Sequence, residues 1–108
     1  MTSKLPDAIA SYYAAEKASD GDALARCFAP DGLVRDEGRT QTGRAAIAEW
    51  MADAKRRYRH STEVVGVTGG GDDYDVTVRV SGAFPNSPLT LTQRFRLADG
   101  VIKTLEIG

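Results

Sequence analysis

Tyr74-Asp75-Val76-Thr77-Val78-Arg79-Val80-Ser81 alternates apolar and polar side chains without a break. A period of two turns one set of side chains to a core and the other to solvent, so this stretch predicts a half-buried strand. Just upstream, Val65 and Val67 carry the same alternation, and Gly69-Gly70-Gly71-Asp72-Asp73 separates the two runs. Glycines between alternating runs predict a hairpin. No helix follows them, which excludes a phosphate-cradling loop. Downstream, Pro85, Asn86 and Pro88 mark a turn. Leu89, Leu91, Gln93, Phe95 and Leu97 then share one face, opposite Thr90, Thr92, Arg94 and Arg96, and Ala98-Asp99-Gly100 leads into a last strand from Val101 to Ile107.

Before Ser61 the period is helical. Residues 5–19 place Ile9, Tyr12, Tyr13 and several alanines at helical spacing, with Pro6 acceptable in a first turn. Asp20-Gly21-Asp22 interrupts the pattern, and Asp22 is expected to cap a short second helix striped by Leu24, Cys27 and Phe28. Ala29-Pro30-Asp31-Gly32 reads as a turn, Leu33 to Glu37 as a strand, and Arg39 to Gly43 as a loop. From Arg44 a third helix aligns Ile47, Trp50, Met51, Ala54 and Tyr58 on one side. Helices first and antiparallel strands after predict an α+β fold with three N-terminal helices on one face of a curved sheet.

A chain of 108 residues fits one domain, residues 1–108, that buries roughly two thirds of its unfolded surface. Fourteen Lys and Arg against fifteen Asp and Glu leave a net charge of −1, which supplies no drive toward nucleic acid or anionic membranes. The basic run Lys55-Arg56-Arg57-Tyr58-Arg59 falls at a helix end, where cations suit the dipole, and reads as a solvated terminus. Cys27 is the only cysteine and His60 the only histidine. Disulfides within the chain and multi-cysteine or multi-histidine metal sites are thereby ruled out, and no metal or cofactor is expected. Cys27 reads as a small buried hydrophobe and His60 as an exposed residue capping a helix end, with a proton shuttle as the alternative. With no uninterrupted apolar stretch near the start, the expected location is cytoplasmic.

Asp36 carries the chemistry. In Leu33-Val34-Arg35-Asp36 the alternation turns its carboxylate to the same side as Val34, toward the interior. A buried carboxylate must be neutral, paired or in use. It is either a base of raised pKa or the ion-pair partner of Arg39, Arg79 or Arg94. Tyr12 and Gln93 are also polar groups on apolar faces, which together suggest a polar floor to an apolar pocket.

The element order, with Phe28-Ala29-Pro30-Asp31, Val34-Arg35-Asp36-Glu37-Gly38 and Gly43-Arg44-Ala45-Ala46-Ile47-Ala48-Glu49-Trp50, resembles the nuclear transport factor 2-like superfamily, and within it the small bacterial SnoaL-like and ketosteroid isomerase-like proteins. The resemblance spans essentially the whole chain. It implies a cystatin-like cone of curved antiparallel sheet and three helices around a ligand pocket, often in homodimers packed through the outer sheet face. Counted from the Phe28-Ala29 anchor, the tyrosine of ketosteroid isomerase falls on Tyr12 and its catalytic aspartate on Asp36. Its oxyanion-hole aspartate falls on Gln93, ahead of Arg94-Phe95-Arg96, which is a departure: an amide donates a hydrogen bond but lacks the acidity matched to a dienolate.

These readings give Asp36, Tyr12 and Gln93 as catalytic candidates and Phe28, Val34, Trp50, Tyr58, Phe84 and Phe95 as the expected pocket wall. The function implied is a cofactor-independent acid-base enzyme of isomerase, cyclase or dehydratase type acting on a small hydrophobic carbonyl compound. The alternatives are a non-catalytic ligand-binding or dimerisation module and, more remotely, a protein-transport adaptor.

Overall fold

In the computed structural model, which describes residues 5–108, the N-terminal helical period becomes α1 (Asp7–Lys17) and α2 (Gly21–Ala25). Lys4, the one lysine in the N-terminal stretch, lies outside the described residues. The cap of α2 is Asp20 rather than Asp22, because the Asp20 carboxylate accepts from the Ala23 backbone N–H at 3.0 Å. Strand β1 (Phe28–Asp36) begins earlier than expected. Pro30 and Gly32 do not break it but deform it, and the pairing register shifts between Phe28 and Leu33. The segment read as a loop is a short strand, β2 (Arg39–Thr42), paired antiparallel with β1. It is short, polar and almost wholly exposed, so it carries no alternation to read.

Helix α3 (Arg44–Tyr58) ends with Arg59 in the left-handed conformation. Strands β3 (Ser61–Gly70), β4 (Asp73–Ser81), β5 (Leu89–Ala98) and β6 (Val101–Ile107) follow as an antiparallel meander. All six strands form one curved sheet in the order β2-β1-β6-β5-β4-β3. One pairing corrects the expectation of a wholly antiparallel sheet, since β1 runs parallel to β6. The long excursion through α3 and the meander supplies the crossover that a parallel pair requires.

Register decides which groups meet. On the inner face Val34, Leu105, Phe95 and Tyr74 fall in one transverse row, while Ile107, Gln93, Val76 and Val67 form the next. The β1–β6 pairing ends at Arg35 and Glu106, one residue before Asp36 and Ile107. Asp36 therefore sits in the row of Gln93, two strand spacings or roughly 10 Å away. Ile9, Tyr12, Leu24, Ile47 and Met51 from the helices close the core beneath Phe28, Val34, Val76, Phe95 and Leu105. The outer face is polar and pairs charge along a row: Arg35 with Glu106 at 3.5 Å, then Arg94 with Asp75 at 3.7 Å. Among the described residues no helix is long and apolar enough to cross a membrane.

Candidate functional site

Between α1, α3 and the inner face of the sheet lies a cavity of about 350 Å³. Asp36 reaches it from the end of β1, Tyr12 from the core-facing side of α1, and Gln93 from the centre of β5. The three polar groups singled out in the sequence thus border one space. Trp50 and Tyr58 from α3 and Phe84 from the β4–β5 connection form apolar wall. Phe28, Val34 and Phe95 do not line it, contrary to expectation. All three are sealed in the core, where Phe28 and Phe95 meet the Tyr12 ring edge-on with centroids 6.1 and 5.4 Å away and hold it in place.

Among the described residues no arginine pairs with Asp36. Arg94 engages Asp75 on the outer face instead, and the hydrogen bond that Asp36 receives from a side chain comes from Trp50 Nε1 to Oδ2 at 3.4 Å. Burial pushes the carboxyl above its ordinary value and the neighbouring Glu37 adds to this. The Trp50 hydrogen bond and the nearby His60 oppose the shift without cancelling it. A second, more polar cleft along β2 and α3 shares Asp36, Glu37, Trp50 and Tyr58 with the cavity, so Asp36 stands at the boundary between the two.

Gln93 is buried, and its Oε1 accepts from the Tyr13 hydroxyl at 2.6 Å. That bond fixes the amide and leaves its NH₂ to face the cavity as a donor. Helical spacing marks Tyr13 only as a residue of α1, and its support of Gln93 arises only in the fold. The Tyr12 hydroxyl makes no hydrogen bond with Asp36, nor with any other group among the described residues, yet no buried polar atom there lacks a partner. The hydroxyl therefore opens onto the cavity. Burial, then the neighbouring Tyr13, Glu16 and Asp36, raise its pKa well above the ordinary value and keep it a neutral donor.

A second polar cluster, not expected from the sequence, borders the same cavity. Glu16 is 3 % exposed and lines the cavity one helical turn from Tyr12. Its Oε2 accepts from Thr62 Oγ1 at 2.8 Å and Lys55 Nζ at 3.1 Å, and lies 3.2 Å from His60 Nε2. Burial alone would raise the Glu16 carboxyl, but the hydrogen bonds from His60, Thr62 and Lys55, with the Lys55 charge, outweigh it and hold the carboxyl below its ordinary value. Two expectations are corrected here. His60 is not an exposed cap, since Arg59 takes the left-handed position and directs the next residue inward. Lys55 is not part of a solvated run, whereas Arg56 and Arg57 are exposed and pair with Asp53. The available signal was Ile9, Tyr12 and Glu16 at helical spacing, which puts Glu16 on the buried face of α1. Cys27 is half-buried with its thiol on Ala23 O at 3.5 Å, and burial raises its pKa, as suits a structural residue. Among the described residues no group of three or more His, Cys, Asp or Glu could hold a metal.

A curved sheet closed over three helices, with a cavity at their junction, is the nuclear transport factor 2-like fold. The SnoaL-like domain matches residues 9–105, and the chain belongs to that family. Among solved structures, a candidate polyketide cyclase from Sinorhizobium meliloti is 43% identical with a TM-score of 0.92, over 96% of this chain and 95% of that one. A protein with a ketosteroid isomerase-like fold from Catenulispora acidiphila, in complex with trimethylamine, is 21% identical with a TM-score of 0.85, over 97% of this chain and 86% of that one. SalBIII, an epoxide hydrolase/cyclase-like enzyme of pyran ring formation in the polyether salinomycin, is 20% identical with a TM-score of 0.79, over 94% and 86%. No curated protein matches the sequence significantly.

Proposed function

We propose that this protein is a small acid-base enzyme of isomerase, cyclase or dehydratase type acting on a hydrophobic carbonyl compound. The observation that carries the reading is Asp36: a carboxyl at an apolar-walled cavity, raised by burial, with a Trp50 hydrogen bond and no salt bridge among the described residues. Such a group gains basicity from desolvation and removes a proton beside a carbonyl. The charge that develops on the carbonyl oxygen is received by the Tyr12 hydroxyl and the Gln93 amide, each supplying a few kcal/mol when preorganised. Trp50, Tyr58 and Phe84 take the apolar body of the substrate. The 43% identity to a candidate polyketide cyclase supports a carbonyl-rich substrate. The enzyme works as a homodimer in the cytoplasm on this reading, with no cofactor.

Nitrobenzisoxazole tests it. Removal of one ring C–H proton breaks the N–O bond and releases a coloured cyanophenolate, so any base in an apolar pocket is reported directly. Wild type should accelerate the opening, and Asp36→Asn should reduce it to the level of free carboxylate in solution. Equal rates in the two proteins would leave a ligand-binding module as the function.

A further inference from the structure

Glu16 holds three donors on one oxygen, and all of them come from the segment that leaves α3 and enters β3. Lys55 Nζ also donates to the His60 carbonyl at 2.7 Å, which pins the backbone of that turn. Gly82 closes the other side, where a Cβ would stand 2.6 Å from Tyr58 O and 2.9 Å from His60 Cα. The imidazole is therefore held at both backbone and ring. Its Nε2 is committed to Glu16, while the ring borders the cavity that Asp36 also borders. A carboxylate that fixes one ring nitrogen leaves the other to carry a proton to and from a ligand.

We propose, resting on the acid-base reading above, that His60 is a second proton-transfer residue of this cavity and Glu16 the positioning residue that aims it. The substrate class is an enolisable ketone. Asp36 takes a proton from the carbon beside the carbonyl, and the C–H electron pair becomes the new C=C bond. The carbonyl π pair takes the proton from His60, giving a neutral enol and a neutral imidazole. In the return step Asp36, its proton exchanged with solvent, protonates carbon while the neutral imidazole takes back the enol O–H proton, which restores the ketone, the carboxylate and the imidazolium. Tyr12 and Gln93 then orient the oxygen instead of carrying a full negative charge. The charged groups facing His60 are Glu16 from α1, Lys55 from α3 and Asp36 from β1, with Glu37 on the same cavity.

Two probes separate this step from the base alone. Nitrobenzisoxazole needs only a base, because its phenolate leaves without a proton. Exchange of the indanone α-protons in deuterium oxide, followed by NMR, needs both groups. His60→Gln should slow indanone exchange about 100-fold, within the range for a general acid. It should cost nitrobenzisoxazole opening several-fold at most. Equal losses on both probes, or wild-type indanone exchange no faster than that of His60→Gln, would overturn the proposal. Failure of nitrobenzisoxazole to distinguish wild type from Asp36→Asn would instead sink the underlying acid-base reading. Glu16→Gln should reproduce the exchange defect. Should that variant not fold, Thr62→Val, which removes one donor from the same oxygen, should slow indanone exchange more than nitrobenzisoxazole opening. Nitrogen NMR of the neutral His60 ring needs no substrate: protonation at Nε2 is expected, and protonation at Nδ1 refutes the positioning by Glu16.

Discussion

The Tyr13 hydroxyl donates to Gln93 Oε1 at 2.6 Å, joining α1 to the centre of β5 and setting which end of the amide faces the cavity. Tyr13→Phe leaves that oxygen without a partner in a part-buried setting and frees the amide to rotate. The variant should lose about 1 to 2 kcal/mol of stability by urea unfolding. It should also bind para-nitrophenolate, a mimic of the developing oxyanion, several-fold more weakly. Unchanged phenolate binding would remove Gln93 from the oxygen-binding role.

Asp36 makes stability depend on pH in a defined direction. The folded protein holds this proton more tightly than the unfolded chain does, so the folded state is penalised as the carboxyl ionises. Stability falls as the pH rises from the unfolded carboxyl value of about 3.9 through the raised folded value, and the penalty is complete above it. Asp36→Asn, whose side-chain oxygen still accepts from Trp50, should melt higher than wild type near neutral pH and equally with it at about pH 3. A lower melting temperature at neutral pH would mark Asp36 as a structural partner.

Glu16 runs the other way. Its carboxyl is more acidic folded than unfolded, so its contribution is present above the unfolded value of about 4.3 and is lost as the pH falls through the lowered folded value. Glu16→Ala strands the Lys55 ammonium in a side chain only 14% exposed, and removing one partner of such a pair costs about 3 to 5 kcal/mol. Denaturant midpoints at neutral pH measure this, and a loss below about 1 kcal/mol would contradict the buried cluster.

Gly82→Ala tests the turn that carries His60. The added methyl meets the Tyr58 carbonyl and the His60 Cα at distances that no real Cβ adopts, so the chain must shift. Destabilisation of about 1 to 3 kcal/mol is expected, together with a displaced His60 ring signal in NMR spectra. An unperturbed His60 resonance would show that the turn yields elsewhere.

Self-association should run through the outer sheet face, where Arg35, Glu106, Arg94 and Asp75 alternate in charge across four strands. Sedimentation should give a dimer at micromolar concentration, as an interface above roughly 1,000 Å² sustains. Arg94→Glu places three acids in succession along that row and should weaken it. A wild-type monomer would end this expectation.

Strand alternation from residue 61 onward and the helical stripe of Ile47, Trp50, Met51 and Tyr58 determined the α+β order, because burial of one face writes its period directly into the sequence. The interior position of Asp36 was legible for the same reason, since a carboxylate two residues from Val34 must share its face. Strand β2, the parallel β1–β6 pairing and the deformed start of β1 were not legible. They depend on which strand lies alongside, and short exposed segments leave no period. Phe28, Val34 and Phe95 show the same limit within the site: hydrophobic spacing says that a side chain is inside, and only packing decides whether it meets a cavity or another side chain. Glu16 stands on α1, while Lys55, His60 and Thr62 follow 39 to 46 residues later over the end of α3 and the start of β3, with no local pattern to join them to it. The tertiary fold brings them onto one carboxylate oxygen, where a charge that burial alone would penalise is held by three donors.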